Sequence, residues 1–299
     1  MNPAVSVVIA ARDYGQYLAD ALRSVQRQTH TDWECLLIDD GSIDNTVEVI
    51  RPFLADRRIR TIRCETLGQS RAKNLGWQLA SAPLIAYLDG DDVWLPTKLE
   101  RQHRLMTAEP KLGVTFSRRF VIDPMGELQA SPHSILPRGR VYNEILRDNF
   151  ICFSSVMVRR EVLEHVGGFD DRLELAIDYD LWLRVAKHYP FDFIDEALVK
   201  YRTGHVNLST RLRDRVSSVL STMRRTLVRR QNEMTTPKKI QRDAWGSTCR
   251  TMGFVLRDRE PTRAAEWYIQ AARHDRRWAA SVKAVARSLW TLARSRVGC

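Results

Sequence analysis

Three carboxylates crowd into four residues, Asp89-Gly90-Asp91-Asp92, directly after the apolar run Leu84-Ile85-Ala86-Tyr87-Leu88. Carboxylates this close raise one another's pKa unless a cation sits among them. An all-oxygen donor set suits a hard divalent ion such as Mg2+ or Mn2+. Five apolar residues between Pro83 and Asp89 fit a buried strand better than a helix, and Gly90 permits a sharp turn at its end. The stretch reads as a metal site at the carboxyl end of a strand, where open α/β sheets place their ligands. The alternative is a solvated acidic turn in which Asp91 or Asp92 caps the following helix. A second acidic end, Asp39-Asp40-Gly41-Ser42, follows the run Glu34-Cys35-Leu36-Leu37-Ile38. No Gly-x-Ser-x-Gly nucleophile elbow is present.

The elements that must position these acids alternate along the chain. Val5 to Ala10 is an apolar strand, and Tyr14 to Gln28 carries Tyr17, Leu18, Ala21, Leu22 and Val25 at helical spacing. After the second strand, Asp44 or Asn45 can cap a helix with Val47, Val49, Ile50 and Leu54. Ile59 to Ile62 is a weaker strand, and Gly68 to Ala80 is helical. This alternation predicts a parallel sheet with helices on both faces. Right-handed crossovers then bring Asp39-Asp40 and Asp89-Asp91 to one crevice. Pro96 opens a helix to about Ala108, and Val114–Phe116 and Phe153–Val158 read as strands. Between them, residues 120–150, with Pro124, Gly126, Pro132, Pro137 and Gly139, read as a loop excursion over the crevice. Arg160 to Val166 is a short helix stopped by Gly167-Gly168, Asp178 to His188 is an amphipathic helix, and Phe191 to Tyr201 closes the body in strand.

Composition divides the chain. Residues 1–202 carry 26 Lys+Arg against 29 Asp+Glu, a net −3, whereas residues 203–299 carry 21 against 7, a net +14. The basic part is helical in pattern, over Thr262–Ala272 and Ala280–Val297. In the second segment Val282, Val285, Ala286, Leu289, Trp290 and Ala293 form one stripe. Such a segment wants a polyanionic surface. An anionic membrane is one candidate, packing of the stripe on the body is another, and nucleic acid is the lesser option because no binding module is recognisable. The five cysteines form no CxxC pair, so neither a zinc site nor a disulfide framework is indicated. The N-terminus has no basic n-region ahead of its apolar run, and nowhere do about 18 apolar residues follow one another. The expectation is a cytoplasmic protein, at most peripheral at the inner face of a membrane.

Four motifs in order carry a resemblance to a known family. They are Val5-Ser6-Val7-Val8-Ile9-Ala10 with Asp39-Asp40-Gly41-Ser42; Gly68-Gln69-Ser70-Arg71-Ala72-Lys73-Asn74; Asp89-Gly90-Asp91; and Gly167-Gly168-Phe169-Asp170 leading to Asp178-Tyr179-Asp180-Leu181-Trp182. Over about residues 4–205 the chain resembles the inverting glycosyltransferases of family 2. The resemblance implies a GT-A fold, a mostly parallel α/β sheet with helices on both faces, in residues 1–205. The nucleotide-sugar half would be 1–110 and the acceptor half 111–205, with a basic helical extension over 206–299. It also implies roles. Ala11, Arg12, Asp39 and Asp40 would line the base pocket, Arg71 would lie over the diphosphate, and Asp89 with Gly90 would face the ribose or a metal-bound water. Asp91, with Asp89 and His205, would hold Mn2+ or Mg2+, and Asp178 would be the catalytic base, with Asp180 its rival.

The chain departs from the family at two places. Ile177 precedes Asp178 where an acid is common, and Tyr201-Arg202-Thr203-Gly204-His205 has one residue more than the usual pattern before its histidine. Arg202 or His205 would then touch the diphosphate or the metal. The implied reaction is transfer of a sugar from a nucleotide-diphosphate donor to a saccharide or lipid-linked acceptor, in cell-envelope polysaccharide or lipopolysaccharide assembly. A nucleotidyltransferase and a non-catalytic sugar-nucleotide-binding protein are the alternatives. The first would show a Gly-rich basic loop where this chain has Ala10-Ala11-Arg12-Asp13-Tyr14.

Overall fold

A computed structural model describes residues 2–130, 135–205, 211–228, 236–274 and 284. The chain divides into two compact units, residues 1–141 with 150–205, and residues 142–149 with 206–299.

The first unit is built on one nine-stranded sheet. In chain order its elements begin β1 (Val5–Ala11), α1 (Leu18–Gln26), β2 (Trp33–Asp39), α2 (Thr46–Ile50), β3 (Ile59–Arg63), α3 (Gln69–Leu79), β4 (Leu84–Asp89), β5 (Val93–Trp94) and α4 (Lys98–Ala108). They continue as β6 (Val114–Ile122), β7 (Leu128–Gln129), α5 (Tyr142–Arg147, in the second unit), β8 (Met157–Arg159), α6 (Arg160–Val166), α7 (Ile177–Val185) and β9 (Phe191–Arg202). Strand order is β3-β2-β1-β4-β8-β6-β9-β5, with β7 on β6. β1, β2, β3 and β4 run parallel. The side chains of β1, β2 and β4 are covered on both faces, which is why β1 and β4 read as continuous apolar runs rather than alternating ones, whereas β3 at the edge is mostly exposed. β8 enters antiparallel beside β4, so the sheet direction reverses there.

Register brings the acidic strand ends together. Ala11 lies opposite Asp39 in the β1–β2 ladder, and Ala10 lies opposite Asp89 in the β1–β4 ladder. α3 presses hard on this sheet, since a Cβ on Gly76 would stand 2.4 Å from Val8 Cγ1. α1 buries Leu18, Ala21, Leu22 and Val25, the stripe read from its periodicity.

The 120–150 segment differs from the expected loop excursion. β6 continues to Ile122 and folds back on β7, and residues 142–147 form α5. Pro124, Gly126, Pro137 and Gly139, which suggested a loop, sit between these short elements, and Pro132 lies outside the described residues. Phe153–Ser155 is one 3-10 turn and only Met157–Arg159 is strand, shorter than the expected Phe153–Val158.

The second unit holds α5 with α8 (Leu212–Val228), α9 (Lys238–Leu256) and α10 (Pro261–His274). Val216, Leu220, Met252, Leu256, Ala264 and Tyr268 form its core, with Trp245, Trp267 and Ala284 packed against it. The expected Thr262–Ala272 helix is α10. The expected Ala280–Val297 helix lies, Ala284 aside, outside the described residues. No helix among the described residues is long and apolar enough to cross a membrane.

Candidate active site

Asp89, the last residue of β4, and Asp91 define the centre of the site. Asp92 N donates to Asp89 O at 3.1 Å and closes the turn. Gly90 sits in a tight place without a left-handed backbone: a Cβ would stand 3.3 Å from Ala11 Cβ and 3.4 Å from Tyr14 Cβ. Asp91 Oδ2 lies 2.9 Å from His205 Nε2. Burial and the charge of Asp89 raise the Asp91 carboxyl above the usual range, and the nearby His205 pulls it back. Asp92, fully buried, is raised well above that range by desolvation and by its two neighbours, with Arg202 N donating to Oδ1 at 2.8 Å. The Tyr14 phenol is pushed upward by burial and by Asp91, Asp89 and Asp92.

Asp89 has a partner that sequence reading missed. Lys73 Nζ, on α3, donates to Asp89 Oδ1 at 2.9 Å and lies 3.8 Å over the Phe153 ring. Arg71, expected over the diphosphate, is instead 60% exposed and 4.0 Å from Asp171. Helical phase held the signal. Lys73, Gly76 and Trp77 share the buried stripe of α3, and Arg71 falls off it.

The β1 and β2 ends form the neighbouring wall. Asp39, buried, accepts from Ser42 N at 3.0 Å through Oδ1, and its Oδ2 lies 3.7 Å from Arg63. Asp40, expected to face the nucleotide base, accepts from Leu67 N and Gly68 N, one oxygen each. It thereby holds the loop that starts α3. Arg12 is exposed beside Asp13 at 3.8 Å. Asp13, with φ 58°, accepts from Ile43 N at 2.8 Å, and Asp44 accepts from Gly15 N at 2.9 Å. Two aspartates therefore clip the loop after β1 to the loop after β2.

Arg202 proves to be part of the floor. Nε donates to Asp91 O at 2.8 Å and Nη1 to Pro124 O at 3.0 Å, and the guanidinium lies 4.7 Å over Tyr17, which packs edge-on against His205 at 4.9 Å. It anchors the acidic turn from behind. Asp180 Oδ2, on α7, accepts from Arg184 Nε at 2.9 Å, and Arg184 also donates to Val166 O and Gly168 O. Asp180 is thus a packing residue joining α7 to the end of α6. Asp178, partly buried, is the second residue of α7, which follows Ala176 in a left-handed backbone at φ 54°.

Among the described residues no group of three or more His, Cys, Asp or Glu is arranged to hold a metal ion. Asp91 and His205 fit a divalent cation as a partial donor set. Their chemistry suits Mn2+ or Mg2+, and the charge crowding on Asp91 favours a cation beside it.

This architecture can be compared with known proteins. The model of the family described as Glycosyl transferase family 2 matches residues 6–167. The chain belongs to glycosyltransferase family 2. It is 31% identical over 210 residues to an uncharacterised glycosyltransferase of Methanocaldococcus jannaschii, covering 67% of this chain and 71% of that protein. It is 28% identical over 212 residues to the Escherichia coli UDP-Glc:alpha-D-GlcNAc-diphosphoundecaprenol beta-1,3-glucosyltransferase WfgD, covering 69% and 79%. Other relatives are longer, and this glycosyltransferase spans 54% of one from Nostoc sp. and 32% of one from Rickettsia conorii. The fold matches Staphylococcus aureus TarS 1-349 in complex with UDP-GlcNAc, with a TM-score of 0.70, 16% identity, and 97% and 89% of the two chains covered. It also matches the mannosyltransferase PcManGT of Pyrobaculum calidifontis in complex with GDP-Man and Mn2+, at TM-score 0.63, 16% identity and 99% and 86% coverage. The mixed α/β sheet is therefore of the GT-A kind.

Proposed function

We propose that this glycosyltransferase moves a sugar from a nucleotide-diphosphate donor to an acceptor hydroxyl, with a divalent cation and with inversion, in cell-envelope polysaccharide or lipopolysaccharide assembly. The observation that carries the reading is the Asp91–His205 pair at 2.9 Å, beside the Lys73–Asp89 pair, at the carboxyl edge of β4. Asp91 and His205 would hold Mn2+ or Mg2+, which when bound would offset charge building on the departing diphosphate. Ala11, Arg12, Asp39 and Asp40 shape the base pocket, directly or through the loops they pin. Asp89, oriented by Lys73, faces the ribose, and Gly90 leaves room for the donor. Arg71, exposed at the start of α3, is free to swing from Asp171 toward phosphate. Asp178 removes the proton of the acceptor hydroxyl as it attacks from the face opposite the leaving group, a contribution of typically 10²–10⁴-fold. The donors named for relatives, UDP-Glc for WfgD and UDP-GlcNAc and GDP-Man for the two structures, support a nucleotide sugar here. WfgD's diphosphoundecaprenol-linked acceptor supports a lipid-linked one, which residues 206–299 would approach from the anionic surface of a membrane.

Chelation should abolish nucleotide release from a panel of UDP-, GDP- and dTDP-sugars, and Mn2+ or Mg2+ should restore it. Asp91→Asn should lower it by orders of magnitude with the fold intact. Full turnover in excess chelator would end the metal reading. For the extension, co-sedimentation with anionic but not neutral liposomes, reversed by high salt, is the expected result. Equal binding to both, or to neither, excludes it.

A further inference from the structure

Two of the sequence motifs meet in one interface. Asn74, the last residue of Gly68-Gln69-Ser70-Arg71-Ala72-Lys73-Asn74, makes three of its four amide hydrogen bonds to the segment that begins at Gly167-Gly168. Nδ2 donates to Phe169 O at 2.9 Å and to Asp171 Oδ1 at 2.7 Å. Oδ1 accepts from Phe169 N at 2.9 Å and from Trp77 Nε1 at 2.9 Å. Four hydrogen bonds saturate the side chain, so its rotamer and the backbone at Phe169 fix each other. Gly168 is needed for this approach, since a Cβ there would stand 2.6 Å from Asn74 Oδ1 and 2.8 Å from Trp77 Nε1, on a backbone at φ +65°.

The same helix holds the rest of the segment. Ser70 Oγ donates to Leu173 O at 2.6 Å, and Gln69 Nε2 donates to Glu174 O. Three side chains of α3, Gln69, Ser70 and Asn74, thus satisfy carbonyls along 169–174, a stretch with little repetitive structure of its own. The segment ends at the left-handed Ala176, immediately before α7 and Asp178. Residues held in such a conformation persist only where the surroundings over-determine them, and α3 supplies that determination.

We propose that Asn74, with Ser70, is a positioning residue for Asp178. It ties the segment leading to the base onto the helix whose Lys73 orients Asp89. α3 then serves as a common ruler: the donor-side carboxylate and the acceptor-side carboxylate are referenced to adjacent residues of one rigid element. The inference rests on reading Asp178 as the base. Displacing a base by about 1 Å can cost 10²-fold in rate without touching donor contacts, and a positioning role predicts that separation.

The test compares Asn74→Ala, Ser70→Ala and Asp178→Asn. Turnover is read as nucleotide release from UDP-, GDP- and dTDP-sugars, and binding is read with UDP, GDP and dTDP, each with Mn2+. Asn74→Ala should lower kcat about 10- to 100-fold while nucleotide affinity stays within about threefold of wild type. Ser70→Ala, a milder deletion that covers the case in which Asn74→Ala fails to fold, should lower kcat about 3- to 10-fold with the same unchanged affinity, as expected for losing one hydrogen bond. Wild-type kcat in the folded variants, or loss of nucleotide affinity in step with kcat, overturns the positioning role while leaving Asp178 as base if Asp178→Asn is inactive. An active Asp178→Asn removes the base reading itself and this proposal with it.

Discussion

Replacing Lys73 by Met tests the electrostatic design of the site. Lys73 is 6% exposed, with its ammonium 2.9 Å from Asp89 Oδ1 and stacked 3.8 Å over Phe153. At that separation and an effective dielectric near 20, the attraction is roughly 6 kcal/mol, offset by several kcal/mol for desolvating the ammonium. Removing one member of a fully buried pair costs about 3–5 kcal/mol because the other charge is stranded. Asp89 is 32% exposed, so water recovers part of that penalty and about 2–3 kcal/mol remains. For a body of 150–250 residues this lowers Tm by about 4–12 °C, which differential scanning calorimetry resolves. Lys73→Met also leaves Asp89, Asp91 and Asp92 with one fewer cation, so added Mn2+ should raise the variant's Tm more than that of wild type. A Tm within about 1 °C of wild type, with the same response to Mn2+, would refute the reasoning.

Asp178→Asn should cut turnover at least about 100-fold with nucleotide affinity retained, measured by nucleotide release and calorimetric titration. Asp180→Asn, which weakens the tie to Arg184, should instead lose about 1.5–3 kcal/mol of stability in urea unfolding and leave the folded enzyme's kcat close to normal. Gly168→Ala should lower Tm, since the left-handed backbone alone costs about 1–2 kcal/mol before the contact with Asn74 is counted; an unchanged Tm would mean that segment is not held as described. Lys98 is fully buried, with Nζ 2.6 Å from Gln102 Oε1 and 4.0 Å over Trp94, and burial lowers its pKa well below the ordinary value. The unfolded chain keeps that proton to about pH 10.4, so the contribution to wild-type stability falls as pH falls from there through the folded pKa. Lys98→Met removes this dependence. Urea midpoints should show the variant gaining on wild type at pH 7 relative to pH 9.5, and parallel profiles would count against a neutral Lys98.

Much of the catalytic unit was legible because its central strands are buried on both faces. Such strands announce themselves as unbroken apolar runs, and Val5–Ala10, Glu34–Ile38 and Leu84–Leu88 lie within β1, β2 and β4. Their acidic ends follow from register, because parallel neighbours of similar length end at one edge. Contacts made by single side chains across long separations were not legible. The family resemblance pointed to Arg71, and nothing in it drew attention to Lys73, which the buried stripe of α3 carries. Arg202 meets Asp91 O from 111 residues away, a pairing with no local pattern to betray it. The reversal at β8 was hidden for a similar reason, since three strand residues behind a 3-10 turn look like one longer run.

The pairing of Asp91 with His205 spans 114 residues. At a synthesis rate of about 5–20 residues per second, some 6–23 seconds pass between the emergence of the aspartate and of the histidine. Throughout that interval a nascent chain holding β1 to β4 carries the acidic turn without its imidazole partner and without the arginine that anchors it from below. A chain released after β4 and before residue 205 would carry the acidic turn without the imidazole that meets Asp91. The acidic turn is therefore completed only by β9 and the three residues after it, the last part of the first unit to be made.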